Sequence, residues 1–281
     1  MQSDVSAAPA ARLPVFRTIA EGIAALRPAW PRVVILLLVI LILEIALDLL
    51  PALAFGVPSQ FLHGRAAMAV QGPGDLLLRI LRAMIEILLI INLLLAIARL
   101  VLFGEMPIVG GLFRWGHRQW RLLGNGLLVG LAAAMPAILG GFLTPRLGPF
   151  LASPVAIIAF LTIYALCWLW ASGWLASVIA IVASDEPAGA LDKAWRIAAG
   201  NRFRLMGIPA CILGGCLIAV GSAQIFVTFV NLDLLPFEIP AYALTTLLVE
   251  AVYVAYAATG AAAYRRLTGQ IVDRDAAEAD A

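Results

Sequence analysis

Long runs of apolar residues, separated by short polar segments, dominate the chain. A helix needs about 20 consecutive apolar residues to cross the hydrocarbon core of a bilayer. Six runs are close to that length or longer, so the pattern predicts an all-α fold with six transmembrane helices. We place them at residues 33–55, 76–103, 126–143, 154–183, 205–230 and 240–264.

The longest polar segment between two apolar runs, residues 184–207, is typical of a short amphipathic helix at a membrane surface. Ser184, Asp185 and Glu186 have the side chains that cap a helix N-terminus, and Gly200-Asn201 is a common helix end. Between these signals, apolar and polar positions separate at helical spacing. The predicted apolar face holds Leu191, Ala194, Trp195 and Ala198, and the other face holds Asp192, Lys193 and Arg196.

Two weaker copies of this pattern lie upstream and predict three repeats, each an interfacial helix followed by a helical hairpin. The second copy has an apolar stripe of Phe113, Trp120 and Leu123 beside Arg114, Arg118 and Arg121. Its residues 120–125 (WRLLGN) match residues 195–201 (WRIAAGN) with one residue inserted. The first copy is fainter and has the stripe Phe16, Ile19, Ile23, Leu26 and Trp30 opposite Arg17 and Glu21. The repeats begin near Phe16, Leu112 and Ala188.

Composition agrees with a polytopic membrane protein and excludes several other classes. Of the 281 residues, 63% are hydrophobic and 13% are charged, and the mean hydropathy is +1.00, far from a soluble domain. The net charge of +2 is too small to indicate a nucleic-acid partner. Residues 1–13 and 268–281 are predicted to be a disordered and a flexible tail around one transmembrane domain, residues 14–267.

Basic residues near the spans indicate the orientation, because cytoplasmic loops carry the excess of Lys and Arg. One side of the predicted hairpins has only Arg65 and Arg146 in its loops. The other side, together with both tails, has Arg12, Arg17, Arg27, Arg32, Arg114, Arg118, Arg121, Lys193, Arg196, Arg202, Arg204, Arg265, Arg266 and Arg274. Both termini are therefore predicted to be cytoplasmic.

Ionisable residues inside the predicted spans are the first candidates for function, because a charge in hydrocarbon is costly unless it is paired or solvated. Counting inward along the helices places Asp48 near the depth of Arg82, and Glu44 near that of Glu86 and Glu250. The cluster comprises Glu44, Asp48, Arg79, Arg82, Glu86 and Glu250. We favour a structural role, in which the arginines neutralise carboxylates and fix the first hairpin. The alternative is a proton or cation pathway through Glu44, Glu86 and Glu250.

Small residues spaced by four, such as Gly126 with Gly130 and Gly207 with Cys211 and Gly215, favour close helix packing. His63 and His117 fall in loops on opposite sides, so no metal site is predicted. No catalytic motif is visible, and we expect neither an enzyme nor a cofactor.

The loop after the fourth span carries a family resemblance. Its motif comprises Glu186, Pro187, Ala190, Leu191, Lys193, Ala194, Trp195, Arg196, Gly200, Asn201, Arg202 and Phe203. It resembles bacterial six-span inner-membrane proteins of uncharacterised function, related to the membrane domain of glycerophosphodiester phosphodiesterases and to the YciC-type family. The resemblance implies a bacterial inner-membrane location and supplies no catalytic residues.

A competing resemblance is to the cytoplasmic coupling loop of binding-protein-dependent ABC permeases. This resemblance rests on Glu186, Gly200, Ile208 and Pro209, although the distance from Gly200 to Ile208-Pro209 is shorter than usual in that loop. We rank this resemblance below the first.

These observations lead us to expect a non-enzymatic, lipid- or envelope-associated protein of the bacterial inner membrane. Its partners would be anionic lipid headgroups, together with an unidentified membrane or cytoplasmic protein. The predicted lipid-facing residues are Arg114, Arg118, Trp120, Arg121, Lys193, Trp195, Arg196, Arg202 and Arg204. The alternative is a small-molecule or ion transporter, or a permease subunit, that uses the carboxylates near the midplane.

Overall fold

The computed structural model describes residues 13–55, 73–151, 153–185, 189–229 and 238–269, and all its regular elements in this part of the chain are helical. The predictions for the tail before Leu13, for Glu186, for the loop with His63 and Arg65, and for residues 270–281 lie outside the described residues. The helices are α1 Val15–Ala25, α2 Trp30–Phe55, α3 Pro73–Phe103, α4 His117–Leu151, α5 Pro154–Ala183, α6 Ala190–Ile197, α7 Arg202–Phe229 and α8 Glu238–Leu267.

Five described stretches are long and apolar enough to cross a membrane: Val15–Pro51, Leu76–Phe103, His117–Leu139, Pro154–Ala183 and Ala243–Leu267. Their large apolar side chains are widely exposed, for example Ile42, Leu128, Val155 and Ile158. Such a surface is stable only in lipid. The chain is therefore a polytopic helical membrane protein. The predicted fifth span coincides with α7, which is helical but is not among these five.

The best-packed part of the bundle is one end, where α2 and α4 begin and α3, α5 and α8 end; we call it the basic end. Helix α8 is central and packs against α1, α2, α3, α5 and α7. The last two turns of α5, residues 176–183, are almost completely buried there. They form one core with Val33, Leu36, Ile40, Leu93, Ile97, Ala258, Ala261 and Tyr264.

Three glycines allow the helices to approach closely at this end. A Cβ atom added at Gly22 of α1 would lie 2.8 Å from the backbone of Thr259 in α8. One at Gly173 of α5 would lie 2.7 Å from the carbonyl oxygen of Leu205 in α7, and one at Gly260 of α8 would lie 2.8 Å from that of Ala176 in α5. No side chain fits at these three positions.

The small residues that the sequence predicted at helix contacts are not these three glycines. A Cβ atom added at Gly126, Gly130 or Gly215 would have no atom within 4 Å, and one at Gly207 would only touch the Val15 side chain, at 3.4 Å. The prediction that Gly126, Gly130 and Gly215 bring helices together is therefore wrong for the described residues. A four-residue spacing identifies a smooth helix face but not the helix that covers it.

Helix α1 exists as predicted, but much of its apolar stripe faces away from the bundle. Phe16 is 78% exposed, and Ile23 is also exposed. The face that packs on the bundle holds Thr18, Gly22 and Leu26, because the small Gly22 lets α1 lie against the backbone of α8.

The third repeat begins with a separate short helix, α6, but the predicted cap is wrong. The residue before α6 is Gly189, at φ +99°, and no side chain caps the helix. Ser184 instead terminates α5, and Asp185 binds Arg118. The predicted end is confirmed: α6 stops at Ile197 and Gly200 follows at φ +81°.

The second predicted interfacial helix is not separate. A 3-10 turn, Val109–Phe113, precedes α4, and α4 then runs from His117 to Leu151 without a break. Residues 120–125 lie inside α4, whereas the matching residues 195–201 contain a turn. The extra residue in the third copy accommodates that turn. Helix α4 also includes the backbone of Arg146, which the sequence placed in a loop.

Candidate functional site

Arg82 is the centre of the buried charge cluster. Arg82 lies on α3. Its Nη1 donates a hydrogen bond to Asp48 Oδ1 of α2 at 2.5 Å, and its Nε donates one to Glu86 Oε1 at 2.6 Å. Asp48 is buried, and the side chain of Arg82 is mostly buried. The predicted contact between Asp48 and Arg82 is therefore present. A guanidinium group with donors on two sides is suited to hold two carboxylates at once.

The remaining members of the cluster lie around this pair. Arg79 is half-buried, one turn before Arg82 on α3. Glu44 is half-buried on α2 and experiences the charges of Glu86 and Arg82. Glu250 of α8 is only 3% exposed, and neither of its oxygens has a hydrogen-bond partner among the described residues. The charged group that acts on Glu250 is Glu44, which is another carboxylate.

A polar contact closes the space between α2 and α3 toward the basic end. Asn92 donates to the carbonyl oxygens of Leu88 and Leu112, at 3.0 Å each, and accepts from Gln119 at 2.8 Å. Beside it lies a cavity of about 210 Å³. Asn92 thus joins α3 to the 3-10 turn and to α4 by hydrogen bonds.

The basic end has a network of charges on its surface. Arg118 of α4 donates two hydrogen bonds to Asp185, one to each carboxylate oxygen. Arg99 of α3 binds Glu105 and donates to the carbonyl oxygen of Ala183 at 2.8 Å. The hydrogen bonds from Arg118 hold the pKa of Asp185 below its ordinary value, and the charges of Arg118, Arg99 and Arg121 act in the same direction.

Exposed aromatic side chains lie next to basic residues at this end. Trp120 of α4 is 61% exposed and packs edge-on against Trp115, at 5.2 Å between ring centroids. Phe113 and Arg114 are exposed just before α4, and Arg121 is half-buried beside Trp120 in sequence. Arg118 is engaged by the carboxylate of Asp185, and the exposed Arg114 lies just before α4.

A second basic and aromatic group is formed by α6 and the start of α7. The Arg202 guanidinium lies 3.7 Å from the centre of the Trp195 ring, a cation–π contact. Phe203 is 88% exposed. Arg196 binds Asp192 one turn away at 2.8 Å, whereas Lys193 and Arg204 are half-buried. The buried face of α6 is Ala190, Ala194 and Ala198, with Leu191 partly buried and Trp195 at its edge.

Trp195 also joins two tryptophans of α5. The ring centroids of Trp170 and Trp174 lie 5.7 Å and 5.8 Å from that of Trp195. This contact packs α6 against α5. It fixes α6 on the bundle, so that its basic side faces outward.

Comparison of the chain with family models, with curated proteins and with solved structures finds no match. The resemblance in the loop after α5 therefore rests on its own residues. Of these, Glu186 and Pro187 lie outside the described part of the chain.

Several contacts could not be foreseen from the sequence. Glu21 of α1 accepts two hydrogen bonds from Arg266, at the end of α8, and Asn201 accepts one from the backbone of Leu13 at 2.9 Å. These pairs join residues 245 and 188 positions apart. The sequence placed Glu21 on the polar face of α1, which predicted that its side chain points outward and does not contact another helix.

The described residues contain no group of three or more His, Cys, Asp or Glu side chains placed to hold a metal ion. His117 begins α4 and is exposed. Cys167, Cys211 and Cys216 have free thiols and are partly buried.

Proposed function

We propose that the chain is a non-enzymatic protein of the bacterial inner membrane, lipid- or envelope-associated, whose basic end binds anionic headgroups. The observation that supports this function is the exposure of Trp120 and Phe203 beside arginines at one end of an apolar bundle. Tryptophan and phenylalanine lie at the lipid interface, and each basic residue near an anionic surface contributes about 1 kcal/mol to binding.

We further propose six spanning helices in three repeats, with both termini cytoplasmic. The order of α1 before α2, and of α6 before α7, supports the first and third repeats. The basic residues of α1 and α6, and those in the first turns of α4 and α7, lie toward the same end of the bundle, as the positive-inside rule requires of a cytoplasmic face. The resemblance to the six-span inner-membrane proteins is part of this proposal.

The lipid-binding function is tested with the full chain in vesicles that contain lipids with brominated acyl chains, which quench nearby tryptophans. We expect a brominated anionic lipid to quench more strongly than a brominated zwitterionic lipid at the same mole fraction. Changing Arg114, Arg121, Arg202 and Arg204 to Gln should remove this difference. Salt should weaken it, because screening acts beyond about 10 Å at roughly 0.1 M.

The matched control changes basic residues of the predicted opposite side, Arg65→Gln with Arg146→Gln, and should leave the preference unchanged. Equal quenching by both lipids in the unmodified chain would refute the proposed function.

A second candidate function, an ion or small-molecule transporter, is supported by one observation. Glu250 is buried in a predicted span without a hydrogen-bond partner among the described residues. Ionisable groups in such positions often belong to ion or proton pathways. Flux of protons or ions into vesicles that contain the chain tests this candidate, and no flux under any gradient would refute it.

A further inference from the structure

The four carboxylates in the buried cluster fall into two pairs with different surroundings. Asp48 and Glu86 both accept hydrogen bonds from Arg82. Glu250 accepts none from the described residues, although it is 3% exposed. Arg82 therefore already holds the first pair, and Glu44 and Glu250 form the second.

The charged groups that act on Glu250, and on Glu44 and Tyr253 beside it, lie on α2 and α3. From α2, Glu44 acts on Glu250 directly. From α3, Glu86 and Arg82 act on Glu44, and Glu86 also acts on Tyr253, one turn along α8 from Glu250. From α5 and α7, the side chains around Tyr253 include Trp168, Ser172 and Cys216, none of which is cationic. The charge of Glu44 therefore opposes a second negative charge on Glu250.

A buried carboxylate that accepts no hydrogen bond is costly in free energy when it is ionised. Such a group therefore binds a proton or a cation. Glu250 lies about four turns from Arg265, or roughly 22 Å from the basic end. That position is within the apolar part of the bundle and beyond its tightly packed core. Two carboxylates that act on each other in such a place are expected to share one proton.

We propose that Glu250 and Glu44 form a binding site for one exchangeable proton inside the membrane. Glu250 holds the proton as a neutral carboxylic acid. Glu44, which is half-buried, is the member through which the proton enters and leaves. When the proton passes from one carboxyl oxygen to the other, the total charge of the pair stays at minus one. The proposal does not depend on lipid binding by the basic end.

Infrared difference spectroscopy of the full chain in vesicles tests this site. At neutral pH we expect a carbonyl stretching band of a protonated carboxyl group, which shifts in D₂O and disappears at alkaline pH. Glu250→Gln should abolish the band. Glu44→Gln should keep the band at neutral pH but make it disappear at a lower pH than in the unmodified chain, because the negative charge that opposes ionisation of Glu250 is gone. A band with an unchanged pH dependence would refute the pairing.

Glu86→Gln is the matched control, because Glu86 lies at a similar depth but is bound to Arg82. The band should persist in this variant, and it should also persist when Arg202 and Arg204 are changed to Gln, which separates this test from that of lipid binding. A band that survives Glu250→Gln would overturn the proposal. Loss of the band on adding sodium at constant pH would also overturn it, because the site would then bind a metal cation.

A second measurement needs no variant and is independent of how well the variants fold. A hydrophobic carbodiimide reacts with protonated carboxyl groups in apolar surroundings and leaves a stable adduct that mass spectrometry locates. We expect the adduct on the peptide that contains Glu250, with less of it as pH rises, and none on the peptide with Glu86. An unmodified Glu250, or a modified Glu86, would contradict the proposal.

Discussion

At the level of single residues, Arg82 is the side chain on which the buried charges depend most. It binds Asp48 of α2 and Glu86 of its own helix. A buried ion pair contributes little compared with an apolar pair of the same size, but removing one partner leaves an uncompensated charge. The pair therefore specifies how α2 meets α3 more than it stabilises the bundle.

The first prediction follows from this asymmetry. Arg82→Gln should lower the free energy of unfolding by about 3–5 kcal/mol, because Asp48 is left buried without its main counter-charge. Adding Asp48→Asn should recover part of that loss. Denaturant titration in mixed micelles measures both. Arg17→Gln, at an exposed pair with Glu21, is the control and should cost no more than about 1 kcal/mol. Equal stability of Arg82→Gln and the unmodified chain would contradict the role of Arg82.

The second prediction concerns pH and Asp185. The hydrogen bonds from Arg118 lower the pKa of Asp185 from its ordinary value of 3.8. A carboxyl group with a lowered pKa stabilises the fold above its ordinary value, and loses that contribution as pH falls through the lowered one. The difference in melting temperature between the unmodified chain and Asp185→Asn should thus be constant near neutral pH and close in acid. It should be small, because Asp185 is half exposed. A difference that persists unchanged in strong acid would refute this account.

Residue contacts were predictable where spacing or depth constrains them. Asp48 and Arg82 are 34 positions apart, but counting from the ends of two adjacent spans placed them at the same depth. The contact between Asp185 and Arg118 spans 67 positions and depends on a turn with Asp185 at φ +57°. Sequence pattern gives no such geometry, so Asp185 was taken for a helix cap.

At the level of elements, the described helices come close together at Gly22, Gly173 and Gly260, which do not follow one repeated spacing. The third prediction compares two of the glycines in the described helices. Gly173→Ala should destabilise the chain by about 1–3 kcal/mol, because the new Cβ atom would meet the backbone of Leu205. Gly130→Ala meets nothing within 4 Å and should be neutral or stabilise by about 0.5–1 kcal/mol. Equal effects of the two changes on the melting temperature would refute the proposed packing of α5 on α7.

The long helices were predictable because apolar runs of this length have few alternatives. The orientation of α1 was not, since its packing face includes the small residues Thr18 and Gly22, whereas Phe16 and Ile23 of its apolar stripe face outward. Hydrophobic periodicity identifies an apolar face, but both protein and lipid can cover it. The sequence pattern also did not show that residues 120–125 belong to one continuous helix, α4.

At the scale of the whole molecule, the packed core and the basic surface occupy the same end. The core residues of α3, α5 and α8 lie there, whereas Leu53, Val155 and Leu244 toward the other end are exposed. A firm core beneath the basic surface fixes the positions of its arginines and aromatic side chains. The buried carboxylates lie between this core and the opposite end.

The lipid-binding surface requires that the loops before α4 and before α7 both face the cytoplasm. Single cysteines at Gly116 and Ala199, both exposed, and at Gly64 on the predicted outer side test this in intact cells, with Cys167, Cys211 and Cys216 replaced by Ser. A membrane-impermeant thiol reagent should label the cysteine at position 64 in intact cells and should reach positions 116 and 199 only after the membrane is opened. Labelling of positions 64 and 199 from the same side would contradict the six-span topology and the lipid-binding surface that rests on it.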